Sequence, residues 1–182
     1  MINQHKILNI NLDEQLECFD ENENIIKPQT RRRVHTKPPR VWHGVTIIWI
    51  FTKKHQILCS KRSNLVEGNP GKWQTYFGGH VKSGVSFLQT AQIELKEEIG
   101  LDIPEEKIIL INEGKRKDAM HFYKMYTVPA DFDLSDLNFT DEEITEVKWL
   151  SFENYQNELR LNPNNWCNSL KLEQYQQVLL AT

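Results

Sequence analysis

Residues 78–101 read GGHVKSGVSFLQTAQIELKEEIGL, and punctuation at both ends brackets a helix inside that stretch. Ser86 followed three residues later by Gln89 has the form of a capping box, in which each side chain satisfies the other residue's free backbone N–H. Gly100 stands where a helix closes on a left-handed residue, so the pattern predicts a helix from Phe87 to Ile99. Leu88, Ala91, Leu95 and Ile99 recur at three- and four-residue spacing and supply a stripe for packing on a sheet. Glu94, Glu97 and Glu98 fall elsewhere, at i, i+3 and i+4 on one shared face. Like charges so placed repel by a few tenths of a kcal/mol each, and Lys96 points away and offers no relief. A hard cation relieves them: Mg²⁺, with Mn²⁺ as the alternative, prefers oxygen ligands and leaves positions for waters and phosphate oxygens. Spacing alone suits a solvated Glu-rich surface equally well, so the surroundings must decide.

Outward from this helix, Asn64 to Gly84 holds five glycines and a proline and reads as loop, with a short strand near Thr75 to Phe77. Val45 to Phe51 and Gln56 to Ser60 read as a hairpin. Cys18 to Thr36 reads as a leading hairpin turning at Asp20 to Asn24. Downstream, Ile108 to Glu113 and His121 to Val128 pair around the polar turn GKRKDA. A strand over Ile144 to Leu150 and helices over Phe152 to Leu159 and Trp166 to Leu180 complete the chain. This order implies an α/β or α+β class, a mixed β-sheet sandwiched between helices. At 182 residues one domain is expected: an N-terminal extension over 1–41, a core over 42–152 and C-terminal helices over 153–182. The two extensions are candidates for a homodimer interface.

Composition excludes other classes. The hydrophobic fraction is 39%, and no apolar run approaches the roughly 20 residues that span a bilayer, so no membrane partner is expected. Nor does the start, MINQHKILNINLDEQ, have the pattern of a secretory signal, which makes cytoplasmic residence the expectation. Cys18, Cys59 and Cys167 are odd in number and widely spaced, which suits buried free thiols rather than disulfides or a zinc knuckle. A formal net charge of −3 leaves no electrostatic footprint for nucleic acid, despite the short run Arg31, Arg32, Arg33.

The segment from Gly78 to Leu101 resembles the Nudix box, G-x(5)-E-x(7)-R-E-U-x-E-E-x-G-U with U apolar. Gly79, Glu94, Leu95, Glu97, Glu98, Gly100 and Leu101 match, seven of the nine defined positions. NPGKW at Asn69 to Trp73 and EVKWL at Glu146 to Leu150 resemble the family's flanks. Two positions depart: Val85 replaces a glutamate and Ile93 an arginine. An arginine at 93 would lie four residues before Glu97 and orient it; its joint loss with a partner glutamate is a swap that can be neutral for a partly buried ion pair.

The resemblance implies a Mg²⁺-dependent hydrolase that cleaves the diphosphate linkage of a small-molecule nucleoside diphosphate derivative by in-line attack of water. It implies Glu94 and Glu98 as first metal ligands and Glu97 next. The side-chain-free Gly78–Gly79 backbone is expected to approach metal or phosphate closely. The base is then either a box glutamate, Glu94, Glu97 or Glu98, or a carboxylate of the later loop TDEEIT, Glu142 or Glu143, of which Glu143 is the choice. HTKPPRVWH, with His35 and His43, and His80 after two glycines give an outline similar to isopentenyl-diphosphate isomerase, in which histidines and glutamates hold the metal. That enzyme's cysteine is replaced here by Gly78, and its E-x-E is missing from Ile108 to Val128, which favours hydrolase over isomerase. The histidines are accordingly expected to be structural or substrate-facing rather than metal ligands, with His80 a substrate-binding candidate. Arg62 matches a position that reaches diphosphate in the isomerases. A further alternative, motivated by Val85 and Ile93, is a silent module that binds a nucleotide or ADP-ribose-like ligand. Trp73, Tyr76, Phe122 and Tyr123 are candidate stacking groups for the substrate.

Overall fold

The computed structural model describes residues 11–36, 41–66, 68–139, 142–167 and 170–181. Its organising element is β3 (Trp42–Thr52), which runs parallel to β7 (His121–Ala130) from His43 opposite His121 to Thr52 opposite Ala130. The other edge of β3 is shared. β1 (Gln15–Phe19) takes its start, at Trp42 and His43, and β4 (Gln56–Arg62) takes its end, at Phe51. β2 (Ile25–Thr30) extends the sheet beyond β1, β5 (Trp73–Gln74) and β8 (Ile144–Ser151) pair with β4, and β6 (Ile109–Arg116) pairs with β7. The result is a mixed, eight-stranded sheet with helices packed on it, the α+β arrangement read from the sequence.

Strand alternation divides two cores. Ile48, Ile50, Tyr126 and Val128 face α2 (Phe87–Ile99), where Ala91, Leu95 and Ile99 are fully buried among them. Trp49, Phe51 and Met125 face the opposite way, toward Tyr155 of α3 (Phe152–Leu161) and Val178 of α4 (Leu172–Ala181). α2 has the expected bounds because both signals operate: Ser86 and Gln89 form the reciprocal cap, and Gly100 closes the helix at φ +76. Lys96 points off this helix to Asp102, 2.6 Å away.

Four elements differ from the sequence reading. The second strand of the leading hairpin stops at Thr30, whose hydroxyl accepts from the Arg33 N–H and caps α1 (Arg31–His35), so the basic run is helical. The short strand falls on Trp73–Gln74, two residues early, while Phe77 forms an isolated bridge with Ile48. β6 continues through Gly114 to Arg116, because the ladder with β7 outcompetes the turn preference of that polar stretch. The last helix starts at Leu172 rather than Trp166, whose ring is held instead against Trp73 and Tyr155. Cys18 and Cys59 are buried free thiols as expected, whereas Cys167 is half-buried. Among the described residues no helix is long and apolar enough to cross a membrane.

Candidate active site and metal centre

Between its pairings with β1 and β4, the edge of β3 is open, and residues 77–81 fill the gap. Phe77 and Ile48 exchange backbone hydrogen bonds of 2.9 Å, Thr46 N–H donates to Gly79 O at 2.9 Å, and Val81 N–H donates to Gly44 O at 3.0 Å. This ladder carries two glycines directly over the glutamate face of α2. Gly78 sits at φ +123, which a side chain tolerates poorly, and its N–H donates to Glu98 Oε1 at 3.1 Å. A methyl group on Gly79 would stand 2.8 Å from Glu94 Cδ, well inside contact distance. The glycine pair is thus a cradle in which two carboxylates close on bare backbone.

Glu94 is half-buried, Glu98 is buried at 7% exposure, and Glu97 is exposed with Oε1 3.9 Å from Lys82 Nζ. All three line one cleft of about 980 Å³, together with Glu143, Arg31, Arg62, Gly78, Gly79, His80 and Lys82. Burial first, then the Glu97 charge, pushes the Glu94 carboxyl up to about 7; Lys82 opposes the shift, Glu143 adds to it and Arg31 opposes it. Glu143 therefore stands within electrostatic reach of Glu94, and its carbonyl accepts from the Ser63 N–H at 2.7 Å. Arg62 donates through Nε to Gly68 O at 2.7 Å and through Nη1 to Gln74 Oε1 at 3.2 Å, and these bonds fix it in the cleft wall. The two residues that depart from the box, Val85 and Ile93, are half-buried. Positive charge near Glu94 comes instead from Lys82 and Arg31. The donor chemistry fits a hard cation: oxygens only, crowded like charges, and a carboxyl that stays partly protonated near neutrality without one.

Of the four aromatic candidates, Tyr76 and Tyr123 line the cleft. Phe122 is buried at 4% against Phe19, and Trp73 packs on Trp166 with Lys148 Nζ 4.2 Å from its ring centroid. The difference follows from β7 alternation, which sends 123 and 125 to the cleft and 122 to the other side.

The histidines gather beside the glycine pair. His35 of α1, His43 of β3 and His80 bring ligand atoms within 4.8 Å of one another, with His35 Nε2 3.0 Å from His80 Nε2. His43 Nδ1 lies 3.1 Å from the Val41 carbonyl, which only accepts; Nδ1 therefore carries the proton and Nε2 keeps its lone pair. Burial holds His43 down at about 4 and His80 well below its usual value, so both are neutral imidazoles, the form that binds metal. His121 adds a fourth ring, 5.9 Å from His43. Three such rings could hold a borderline divalent ion of the kind imidazoles favour, a capacity the sequence reading, which expects structural or substrate-facing histidines, does not include. Spacing could not reveal it, because three separate elements supply the rings. Only the H-x(7)-H pattern with a later G-G-H hinted at it.

The mixed sheet, the capped glutamate helix beneath a glycine cradle and the mixed-charge cleft thus form one site in which carboxylates, cations and bare backbone meet. A family profile for the NUDIX domain matches residues 41–168, and the chain belongs to the Nudix family. It is 35% identical over 115 residues to an uncharacterised Nudix hydrolase of Clostridium acetobutylicum, covering 62% of this chain and 53% of that protein. It is 30% identical over 127 residues to Nudix hydrolase 3 of Arabidopsis thaliana, covering 64% of this chain and 16% of that much longer protein. An isopentenyl-diphosphate Delta-isomerase of Serratia proteamaculans is 30% identical over 97 residues, 53% of each chain. The chain thus spans about half or less of these relatives. The fold also matches the crystal structure of DR0079 from Deinococcus radiodurans, with a TM-score of 0.67 at 17% identity over 92% of this chain and 99% of that one.

Proposed function

We propose that the protein is a Mg²⁺-dependent hydrolase that cleaves the phosphoanhydride bond of a nucleoside diphosphate derivative. The observation that carries this reading is the convergence of Glu94 and Glu98 on the Gly78–Gly79 backbone, with Glu97 and Glu143 in the same cleft. Glu94 and Glu98 would hold Mg²⁺, with Glu97 beside them; when bound, the ion neutralises phosphate charge and lowers the pKa of water. The chain's own groups do the rest. Gly79, bare of a side chain, lets the Glu94 carboxylate close on the backbone at the point where the ion would sit. Arg62 and His80 face the phosphates, and Tyr76 and Tyr123 offer ring faces to the base. Glu143 takes a proton from the attacking water, the new P–O bond forms, and the bridging P–O bond breaks to release two phosphorylated products.

The histidine trio favours a second reading, an isomerase-like metal site, with which the likeness to the Serratia isomerase agrees. Gly78 stands in the place of that enzyme's catalytic cysteine, which this reading therefore lacks. Release of nucleoside monophosphate from a panel of nucleoside diphosphate derivatives, with and without Mg²⁺ and in Glu98→Gln, tests the first reading. Metal-dependent release abolished by the substitution supports it. Conversion of isopentenyl diphosphate without any release would replace it with the second.

A further inference from the structure

The box of this chain has no arginine, yet its acidic helix faces an ordered cationic pair supplied partly from outside the region matched to the family. Glu14 and Arg31 belong to the N-terminal segment, ahead of residues 41–168. Arg31 is fixed twice. Its backbone N–H donates to the Glu14 carbonyl at 2.8 Å, and its guanidinium donates to Glu14 Oε2 through Nε at 3.1 Å and Nη2 at 2.8 Å. The other carboxylate oxygen, Oε1, lies 3.5 Å from Lys82 Nζ, which in turn lies 3.9 Å from Glu97 Oε1. Arg31, Glu14 and Lys82 all line the cleft. Two cations side by side repel unless a counter-charge is shared between them, and Glu14 assigns one oxygen to each. The side chains of Glu14 and Arg31 are 18% and 23% exposed, so solvent screens this pair less than a surface ion pair. Arg31 commits Nε and Nη2 to Glu14, which leaves Nη1 to donate to a ligand.

We propose that Glu14 is a positioning residue that holds Arg31 and Lys82 as a two-cation clamp for the diphosphate group of the substrate. This rests on the hydrolytic reading for the identity of the ligand. The clamp supplies, from the N-terminal segment and Lys82, positive charge beside Glu97 that an arginine at 93 would otherwise share. The leading hairpin thereby serves the site, since β1, β2 and α1 bring Glu14 and Arg31 to the mouth of the cleft and anchor them through the buried cluster of Leu16, Cys18 and Val34.

The test is calorimetric binding of imidodiphosphate, a pyrophosphate analogue with an uncleavable P–N–P bridge, to the full chain with Mg²⁺. Arg31→Gln and Glu14→Gln are each expected to weaken binding about tenfold, the loss of one charge-assisted contact. The double variant should lose far less than the product of the two, because Glu14 acts through Arg31. The salt dependence of binding should flatten in Arg31→Gln, and Glu14→Asp should recover part of the affinity, neither of which a purely structural fastening would produce. Melting temperatures establish that each variant is folded. Wild-type protein that binds the analogue while Glu14→Gln matches it overturns the clamp and leaves hydrolysis standing, as does multiplicative loss in the double variant. No binding by the wild type also overturns the clamp. If the wild type cleaves no diphosphate but Glu14→Gln still costs affinity for the analogue, hydrolysis falls and the clamp survives.

Discussion

Two clusters of metal-competent side chains meet at the segment Gly78–His80, and they are built in opposite ways. The glutamates come from one helix, share a face by the arithmetic of 3.6 residues per turn, and offer hard oxygens under bare backbone. The histidines come from α1, from β3 and from the residue after the glycines, and offer ring nitrogens that burial keeps neutral at His43 and His80. One cluster is local and the other is purely tertiary. Hard oxygens and imidazole nitrogens suit different ions, and of the trio His80 also lines the glutamate cleft.

The largest expected effect separates the two on activity. Glu98→Gln should lower Mg²⁺-dependent hydrolysis by about a hundredfold or more, the scale of losing a charged group that stabilises the transition state, with little change in melting temperature. His35→Gln, at an exposed ring, should leave that rate within about threefold while abolishing the visible absorption of bound Co²⁺. If the histidine variant stops hydrolysis and the glutamate variant does not, the assignment of the two clusters is reversed.

Next in size is a packing effect. Leu95→Ala removes a fully buried side chain from beneath the glutamate face and should cost about 2–5 kcal/mol in denaturant unfolding, with activity falling as the helix loosens. A cost below about 1 kcal/mol would mean that the helix is not anchored through this stripe.

The smallest effect is a pH dependence. Burial and the Glu97 charge hold the Glu94 carboxyl at about 7 against an ordinary 4.5, so the folded chain binds this proton more tightly than the unfolded chain. Its contribution to stability is therefore fully present below pH 4.5 and is lost as pH rises through about 7. In chelator, the melting temperature of the wild type should decline relative to Glu94→Gln across that window, and Mg²⁺ should erase the difference. Parallel curves would show that Glu94 is not held in this way.

Much of the acidic site is legible in the sequence because each of its signals is short-range. The Ser86 box, Gly100 and the Leu88 to Ile99 stripe fix the helix and hence the glutamate face. Glu143 is reachable only through the family resemblance, and its place beside Glu94 depends on Ser63 receiving the backbone of that loop. The histidine trio and the Glu14–Arg31–Lys82 network are not legible. Their members are separated by dozens of residues or lie on different elements, and they meet through the β1–β3 pairing and the 77–81 ladder, neither of which leaves a periodic trace. The start of α1 escapes for the opposite reason: a five-residue helix is too short to show a period, and its Thr30 cap reads equally well as strand.

Anomalous scattering from crystals soaked in Mn²⁺, the stand-in for Mg²⁺, tests the central claim most directly. The expected result is a peak bound by Glu94 and Glu98 oxygens at about 2.1 Å, beside the Gly79 backbone. Manganese seated among His35, His43 and His80 alone, with Glu94 and Glu98 turned to Lys82 or Arg31, would contradict it.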